Sequence, residues 1–234
     1  MISRAARERQ QRIEEAMREC EELQKQREAT AKQSHRPVNE ARASTTDPQA
    51  RIMKFADGGC RPGYSVQLAT DTESGVIVGV EVTNAGNDGA QLPPMLDQLE
   101  ERYERVPCEA LVDGDFATIA AIDQAAERGC TVYAPVKGEE RQRAAGKNPH
   151  APKKGDSDAT AAWRSRMGTE AAKLIYRLRA QTAEWVNAQC RNRGLRHMPV
   201  RGQPKCRIIA LLFAITHNLF VAEKLRSAAS KSAV

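Results

Sequence analysis

YSVQLATDTESGVIVGVEVT, residues 64–83, contains two runs rich in β-branched side chains on either side of a short polar segment. The runs cover residues 64–70 and 76–83, and the polar segment between them ends at Gly75. Runs of this composition form strands, and a short connection of turn-forming residues pairs two consecutive strands with each other. The stretch therefore predicts an antiparallel β-hairpin.

Helices and strands alternate after this hairpin. The predicted elements are a helix over residues 91–105, a strand over 110–112, a helix over 119–128, a strand over 130–135, a helix over 159–193 interrupted only at Gly168, and a final helix over 206–224. Leu92, Leu96 and Leu99 give the first of these helices an apolar face. Residues 137–158 are polar and lysine-rich, which predicts an exposed loop. This order indicates a mixed α/β domain.

The beginning of the chain differs in composition from the rest. Residues 1–34 are rich in Arg, Glu and Gln and lack proline and glycine, which predicts a solvated, weakly amphipathic helix. That helix is either a charged connecting segment or a coiled-coil arm with a short apolar seam that includes Cys20. The predicted organisation is a charged helical segment and linker over residues 1–45, a main domain over 46–228 and a tail over 229–234.

Composition limits the class of protein. The 234 residues are 41% hydrophobic but only 4% aromatic, so the core should be aliphatic. A net charge of +6 suits an anionic partner such as nucleic acid, although excess charge also serves solubility. The 6 cysteines are scattered and suggest no zinc site. No apolar run reaches the roughly 18 residues that span a bilayer, so we expect a cytoplasmic protein with no membrane partner.

One carboxylate stands alone in a basic stretch. Between residues 176 and 207, Glu184 is the single acid among many arginines and lysines, which would neutralise the phosphates of a polyanion. At about 100° per residue, an arc of about 140° on one helix holds Tyr176, Arg179, Glu184 and Arg191. Such a face could bind Mg²⁺ through the carboxylate and phosphates through the arginines. An incidental Arg–Glu pair on a solvated helix is the other interpretation.

A second carboxylate follows a predicted strand. Asp113 comes directly after residues 110–112, in the sequence ALVDGDF. Ligands bind at the carboxyl ends of strands in open α/β sheets, so Asp113 is a candidate site residue. Asp-Gly-Asp is also ordinary turn chemistry, and Asp115 could cap the helix that follows. From the residues alone, both interpretations stay open.

Several stretches of the chain resemble bacterial insertion-sequence transposases with a DDE catalytic domain. The resemblance runs along most of residues 46–222 and is carried by TDPQARIMKFADGG, GYSVQLATDTESGVIVGVEVTNAGNDGAQL, ALVDGDF, VYAPV, YRLRAQTAEWV and RGLRHMPVRGQPKCRIIALLFAITHNL. The family places a tyrosine, an arginine, the catalytic glutamate and a lysine on one helix. That pattern matches Tyr176, Arg179, Glu184 and Arg191, with arginine in place of the usual lysine.

This resemblance implies a fold, a site and a reaction. The fold is α/β, a ribonuclease-H-like mixed sheet with flanking helices. Asp113 looks like the second aspartate of the catalytic triad and Glu184 like its glutamate, so both would be catalytic and would bind Mg²⁺, with Mn²⁺ as a substitute. The reaction is metal-dependent DNA cleavage and strand transfer at insertion-sequence ends, by a homo-oligomer on DNA in the nucleoid-associated bacterial cytoplasm. The residues implied in DNA binding are Tyr176, Arg179, Arg191, Arg193, Arg196, Arg201 and Lys205.

One part of the family pattern has no match. The first aspartate lies in an Asp-Gly-Thr-like strand, upstream of the polar region that residues 1–46 resemble, and no such strand occurs before Arg4. We hypothesise an N-terminally truncated transposase that lacks the first strand of its catalytic domain and has an incomplete triad. Asp71 and Asp88 are candidate substitute ligands, although hairpin-turn and helix-cap roles also explain them. The alternative function is a non-catalytic DNA-binding remnant or regulator.

Overall fold

The computed structural model describes residues 3–34, 37–55 and 58–232. In these ranges the helices are α1 (Arg4–Ser34), α2 (Leu92–Tyr103), α3 (Ile119–Glu127), α4 (Glu139–Ala144), α5 (Asp158–Met167), α6 (Glu170–Arg179), α7 (Trp185–Asn192) and α8 (Gln203–Ser232), with a π-helical turn (Ala180–Glu184) between α6 and α7. The strands are β1 (Arg51–Lys54), β2 (Cys60–Gly63), β3 (Ser65–Thr70), β4 (Ile77–Thr83), β5 (Glu109–Leu111) and β6 (Thr131–Tyr133). The predicted mixed α/β architecture with an N-terminal helix is confirmed.

The chain folds into two compact units, which are described separately. Unit 1 consists of Met1–Gln67, Val82–Gly86 and Arg196–Leu212, and unit 2 consists of Leu68–Glu81, Asn87–Leu195 and Phe213–Val234. The predicted boundaries at residues 45 and 228 remain predictions, and residues 233 and 234 of the predicted tail lie outside the described ranges.

Strands β5 and β6 form a parallel pair with α3 as their crossover. Leu111 lies opposite Tyr133 in this pair. Parallel strands need a crossover connection, and α3 provides it, starting where the Thr118 side chain accepts a backbone hydrogen bond as the N-cap. Because the two strands run the same way, their carboxyl ends lie at one edge of the sheet. Asp113 follows β5 at that edge.

The predicted hairpin forms, and a second one precedes it. Strands β3 and β4 pair with each other, and the Asp71 N–H donates to the Val76 carbonyl at 2.9 Å. Strands β1 and β2 pair antiparallel, with Arg51 opposite Gly63. Composition did not predict this pair, because RIMK and CRPG are short and poor in β-branched residues, and Pro62 interrupts the second. Each sheet of the described residues has two strands.

The core of unit 2 is largely aliphatic, as the composition predicts. Leu96, Ile122 and Val132 are almost completely buried and belong to one hydrophobic cluster. Trp163 joins this cluster with 4% of its surface exposed, and its Nε1–H donates to the Ala134 carbonyl at 3.2 Å. A buried indole needs such a hydrogen-bond partner. Trp163 is therefore a structural residue.

The segment over residues 137–158 is not entirely a loop. It contains α4, whose sequence EERQRA consists of helix-forming residues. The prediction of a loop is wrong there, because helix propensity and the Arg143–Glu139 ion pair support a helical turn even in an exposed segment. The prediction of exposure is correct for α4, which has no buried residue, but Pro149 of the same segment is buried.

Asp156 connects the end of this segment to α5 through hydrogen bonds. Its Oδ2 accepts hydrogen bonds from the Lys153 N–H and from Arg164 Nε, each at 2.8 Å. The side chains of Asp156 and Arg164 are 6% and 10% exposed, so the ion pair is largely removed from water. The Lys153 N–H, followed by the Arg164 guanidinium, lowers the pKa of Asp156 below its ordinary value of 3.8.

We expect this pair to make stability depend on acid pH. A carboxyl group with a lowered folded-state pKa stabilises the fold above its unfolded pKa, and that contribution is lost as the pH falls through the folded pKa. Asp156→Asn should therefore unfold at a lower temperature than the parent protein near neutral pH, and the two midpoints should converge below pH 3.8. Thermal unfolding followed by circular dichroism at several pH values measures this. Asp97→Asn, at an exposed pair with Arg128, is the control, and an equal loss in that variant would refute the prediction.

Helix α8 is longer than predicted and is apolar around most of its circumference. The buried face consists mainly of small side chains, and the exposed face carries Ile208, Leu212, Ile215 and Leu219. Over 18 residues its mean hydropathy reaches 1.6, so by length and composition it is a candidate membrane span. The expectation that no segment is long and apolar enough is therefore wrong, because it counted only uninterrupted apolar runs. Core helices also have this composition.

In unit 1, two side chains cap the start of α8. Asp47 accepts from the Gly202 N–H through Oδ2 at 3.0 Å and from the Tyr64 hydroxyl through Oδ1 at 2.7 Å. Gln49 Oε1 accepts from the Gln203 N–H at 3.0 Å. These N–H groups have no intrahelical acceptor. Burial, and then the bond to Asp47, raises the pKa of Tyr64, so the phenol remains a donor.

Asp47→Ala should destabilise unit 1 by about 1–2 kcal/mol, because it leaves a helix-start N–H and a phenol without their acceptor. Chemical denaturation followed by circular dichroism measures the loss. The control is Asp88→Ala, which changes an aspartate in unit 2. If Asp47→Ala unfolds at the same denaturant concentration as the parent protein, this capping role is wrong.

Candidate active site

Asp113 agrees with both interpretations that the sequence left open, a site residue at a strand end and a turn residue. It follows β5, and the Val112 N–H still donates to the Tyr133 carbonyl at 2.9 Å, so the strand pairing extends to its neighbour. Its own Oδ1 accepts from the Gly114 N–H at 2.6 Å, which closes a turn. Its side chain remains 57% exposed. The turn therefore holds an accessible carboxylate at the edge of the β5–β6 sheet.

Asp115 does not cap α3. Thr118 is the N-cap residue, and Asp115 Oδ1 instead lies 2.8 Å from Lys137 Nζ. Both members of this ion pair are more than half exposed. Asp115 is therefore paired with a cation and does not add to the carboxylate pair described next.

Glu184 lies in a π-helical turn, which the residue pattern did not predict. In a regular α-helix, a residue five positions after Arg179 would lie about 140° around the axis from it. The π turn replaces i→i+4 hydrogen bonding by i→i+5 bonding, so Glu184 comes back towards Arg179. The Thr182 hydroxyl donates to the Leu178 carbonyl at 2.8 Å, a side-chain bond that competes with regular backbone bonding.

Arg179 bridges the two carboxylates. Its Nη1 donates to Glu184 Oε1 at 2.7 Å, and its Nη2 donates to Asp113 Oδ2 at 3.2 Å. The Arg179 side chain is 21% exposed, whereas the side chains of Asp113 and Glu184 are 57% and 56% exposed. Residues separated widely in sequence thus meet at one point in unit 2.

Tyr176 lies beside this group. Burial raises the pKa of its phenol, Arg179 opposes the rise, and the negative charges of Asp113 and Glu184 add to it. The net direction is upward, so the phenol keeps its proton at neutral pH and can donate a hydrogen bond. The structure therefore brings together Tyr176, Arg179, Asp113 and Glu184.

The charges and donor atoms of this group suit one divalent cation. Two carboxylates face one guanidinium, so the group carries a net negative charge when all are ionised. Mg²⁺ prefers carboxylate oxygens and is commonly held by one or two of them, with water and substrate phosphate completing the shell. In the described part of the chain, no cluster of three or more Asp, Glu, His or Cys could hold a metal. The donor set fits one ion held by Asp113 and Glu184.

Asp71 and Asp88 have other partners. Asp71 Oδ2 accepts from both the N–H and the hydroxyl of Ser74, within the turn between β3 and β4. The Asp88 carbonyl accepts from the Gln91 N–H just before α2. The hairpin-turn explanation of Asp71 therefore has direct support in these hydrogen bonds.

The predicted DNA-binding cations fall in both units. Arg191 and Arg193 lie at the end of α7 in unit 2, and the Arg193 guanidinium lies 4.4 Å from the Phe220 ring centroid. Arg196, Arg201 and Lys205 belong to unit 1 and are all exposed. Of these cations, Arg191 and Arg193 belong to the same unit as Asp113 and Glu184.

His217 and Asn218 tie α8 to the β3–β4 hairpin. Asn218 Oδ1 accepts from the Ile77 N–H, and its Nδ2 donates to the Ile77 carbonyl, each at 2.8 Å. His217 Nε2 lies 3.0 Å from the Gly75 carbonyl, and the ring meets Trp185 edge-on with centroids 5.6 Å apart. Because Trp185 follows Glu184, these contacts link the hairpin turn, α8 and the start of α7. The sequence signal was the His-Asn pair in an otherwise apolar helix.

Comparison with known proteins identifies one family. Residues 40–219 match the model of the family described as Transposase DDE domain. The match includes Asp113, Tyr176, Arg179, Glu184 and Arg191. No curated protein and no solved structure gave a significant match.

Proposed function

The chain belongs to the transposase DDE domain family, and on that premise we propose that it cleaves and joins DNA strands at insertion-sequence ends with a divalent metal. Membership implies a transposase enzyme, DNA transposition, DNA binding and a ribonuclease-H-like fold, and this family generally uses a divalent metal. The observation that carries the proposal is the bridge from Arg179 to Asp113 and Glu184. This bridge brings the carboxylate that follows β5 and the carboxylate of the π turn to the same guanidinium.

In this proposal, Asp113 and Glu184 hold Mg²⁺, or Mn²⁺ in its place. The bound ion supplies activation of water and of a DNA 3′-hydroxyl, and it stabilises charge on the phosphate under attack. Arg179 pairs with both carboxylates and would also bind a DNA phosphate, because a guanidinium pairs with both kinds of oxyanion. The protonated Tyr176 donates a hydrogen bond to the same phosphate.

The remaining cations hold the DNA backbone. Arg191, Arg193, Arg196, Arg201 and Lys205 are proposed to contact phosphates, which fix the position of the duplex without reading its sequence. We further propose that the protein acts as a homo-oligomer on DNA in the bacterial cytoplasm, near the nucleoid. Steep weakening of DNA binding with salt would support these phosphate contacts.

The third carboxylate of the triad is proposed to lie on a strand outside this sequence. The family places that aspartate in an Asp-Gly-Thr-like strand, and the support is that Asp113 and Glu184 match the other two members of the triad. Asp71 is the candidate inside the chain. The DNA upstream of the Met1 codon tests this: an encoded Asp-Gly-Thr-like strand supports truncation, and its absence directs attention to Asp71.

A cleavage assay tests the proposed activity. The purified chain is incubated with duplex DNA that carries the insertion-sequence ends, in Mg²⁺, in Mn²⁺ or in chelator. The expected result is slow strand cleavage at the ends that requires metal, because Asp113 and Glu184 hold one ion without the third carboxylate of the triad. Cleavage that persists in chelator would contradict a metal-dependent transposase mechanism.

The second candidate function is a DNA-binding remnant or regulator without catalysis. Two carboxylates already satisfied by Arg179 favour it, since such a group is stable without metal. This candidate predicts DNA binding that needs no metal and weakens steeply with salt, with no cleavage under any condition. Metal-dependent cleavage by the same preparation would exclude it.

A further inference from the structure

We propose that two exposed rings of unit 2, those of Trp185 and Phe220, form a stacking site for the bases of unpaired nucleotides. The proposal rests on the DNA-binding function proposed above and adds a ligand class to it. Single-stranded DNA is bound by aromatic rings that stack on bases and by cations that hold the backbone. Both kinds of group occur together here in unit 2.

Trp185 presents a ring to solvent directly after the Glu184 carboxylate. Its surface is 41% exposed, in contrast to 4% for Trp163, the only other tryptophan of the chain. The indole contacts His217 edge-on, at 5.6 Å between centroids and 69° between planes. His217 is itself buried and bonded to the Gly75 carbonyl. The ring therefore rests on an anchored residue while part of its surface stays open.

Phe220 supplies the second ring. It lies on α8 with 58% of its surface exposed, and the Arg193 guanidinium lies 4.4 Å from its centroid. Lys224, one helical turn further along α8, places its Nζ 6.0 Å from the Trp185 centroid. Each exposed ring thus has its own cation: Lys224 of α8 lies beside Trp185 of α7, and Arg193, directly after α7, lies beside Phe220 of α8.

This combination differs from ordinary core packing. An aromatic side chain used for burial loses most of its exposed surface, as Trp163 does, and a buried indole N–H finds a partner. Trp185 and Phe220 instead stay open beside cations. A nucleotide complements both kinds of side chain. Its base can stack on an aromatic ring, and its negatively charged phosphate can pair with Arg193 or Lys224.

The ligand is unpaired because a base inside a duplex has both faces covered by its neighbours. Strand cleavage at a DNA end requires the backbone to approach Asp113 and Glu184, and separated bases next to the cut need a surface to receive them. Trp185 adjoins Glu184 in sequence, so a strand whose bases stack on its ring would pass close to the carboxylates, with the two side chains about 100° apart around the helix. The stacking site thereby holds an opened end at the carboxylates.

Fluorescence can test this site, because only Trp163 and Trp185 emit as tryptophan. Trp163→Phe leaves Trp185 as the reporter, and Trp185→Phe leaves the buried Trp163 as its matched control. The probe is a single-stranded oligothymidine, compared with a blunt duplex of equal length at the same salt concentration. We expect the oligothymidine to quench Trp185 strongly and Trp163 hardly at all, with a weaker effect of the duplex.

Affinity provides an independent readout in proteins that keep Trp163. By fluorescence anisotropy of labelled DNA, Trp185→Ala and Phe220→Ala should each weaken oligothymidine binding about tenfold, whereas Trp185→Phe should retain most of it. Duplex affinity should change by less than about threefold, because duplex binding depends mainly on phosphate contacts. Phe220→Ala changes an exposed side chain, so it tests the site even if Trp163→Phe or Trp185→Ala does not fold.

Three results would overturn the inference. They are oligothymidine binding that leaves Trp185 fluorescence unchanged, unchanged oligothymidine affinity in Trp185→Ala or Phe220→Ala, and an equal loss of duplex affinity in those variants. If the parent protein binds the duplex and cleaves it with metal but does not bind oligothymidine, the stacking site is wrong and the proposed function stands. If it binds neither DNA, both are wrong.

Discussion

Changing Asp113 to asparagine and Glu184 to glutamine in one protein should lower metal-dependent strand cleavage by about a thousandfold or more, because a metal supplies several kcal/mol of transition-state stabilisation. The neutral amides keep the size of the side chains but bind Mg²⁺ or Mn²⁺ poorly. Duplex binding in chelator should be retained, since it depends on the arginine and lysine side chains and not on the metal. Single-turnover cleavage of DNA with insertion-sequence ends measures the first quantity, and anisotropy of labelled DNA measures the second.

The control for this variant removes the same charges elsewhere. Asp97 and Glu170 are exposed carboxylates that pair with Arg128 and Lys173, so Asp97→Asn with Glu170→Gln alters two surface ion pairs away from the bridged group. That protein should cleave at nearly the parent rate. Cleavage that survives in the Asp113 and Glu184 variant, or is lost equally in the control, would reject this assignment of the carboxylates.

Asn218→Leu should destabilise unit 2 by about 2–4 kcal/mol, because it removes both partners of a buried backbone segment. Ile77 is 5% exposed, and its N–H and C=O both bond to the Asn218 side chain at 2.8 Å. Leucine has the same branching at Cγ but neither donates nor accepts. Urea denaturation followed by circular dichroism measures the loss of free energy of unfolding.

The neighbouring residue on α8 provides the control. Leu219 is 67% exposed, so Leu219→Ala should change stability by less than about 0.5 kcal/mol. Asn218→Asp should lie between the two, since an aspartate still accepts from the Ile77 N–H but cannot donate to its carbonyl. Equal midpoints for Asn218→Leu and Leu219→Ala would contradict the anchoring role of Asn218.

The sequence predicts those elements whose residues have strong local preferences. β-Branched runs identify the β3–β4 hairpin, and the strand, helix and strand from β5 to β6 follow from short apolar runs around a helical pattern. Strands β1 and β2 escape prediction because their pairing, and not their composition, makes them strands. The existence of helix α8 was predicted, but its start at Gln203 depends on capping by Asp47 and Gln49, which are far away in sequence.

The candidate site divides in the same way. A strand end predicts the position of Asp113, and the family pattern singles out Glu184. A regular helix does not predict how closely Arg179 approaches Glu184, because the π turn that joins them depends on one choice of hydrogen-bond partner. Nor does sequence distinguish Trp163 from Trp185, since burial is set by the packing of unit 2.

Iron-directed cleavage of the protein backbone would test the central claim, that Asp113 and Glu184 hold one divalent metal. Fe²⁺ takes carboxylate ligands as Mg²⁺ and Mn²⁺ do, and with peroxide it releases hydroxyl radicals that cut the chain beside its ligands. Mass spectrometry of the fragments locates the cuts without requiring DNA cleavage. We predict cuts next to both Asp113 and Glu184 that excess Mg²⁺ suppresses and that vanish when these residues become Asn and Gln. Cuts confined to other segments, or unchanged in that variant, would contradict the account.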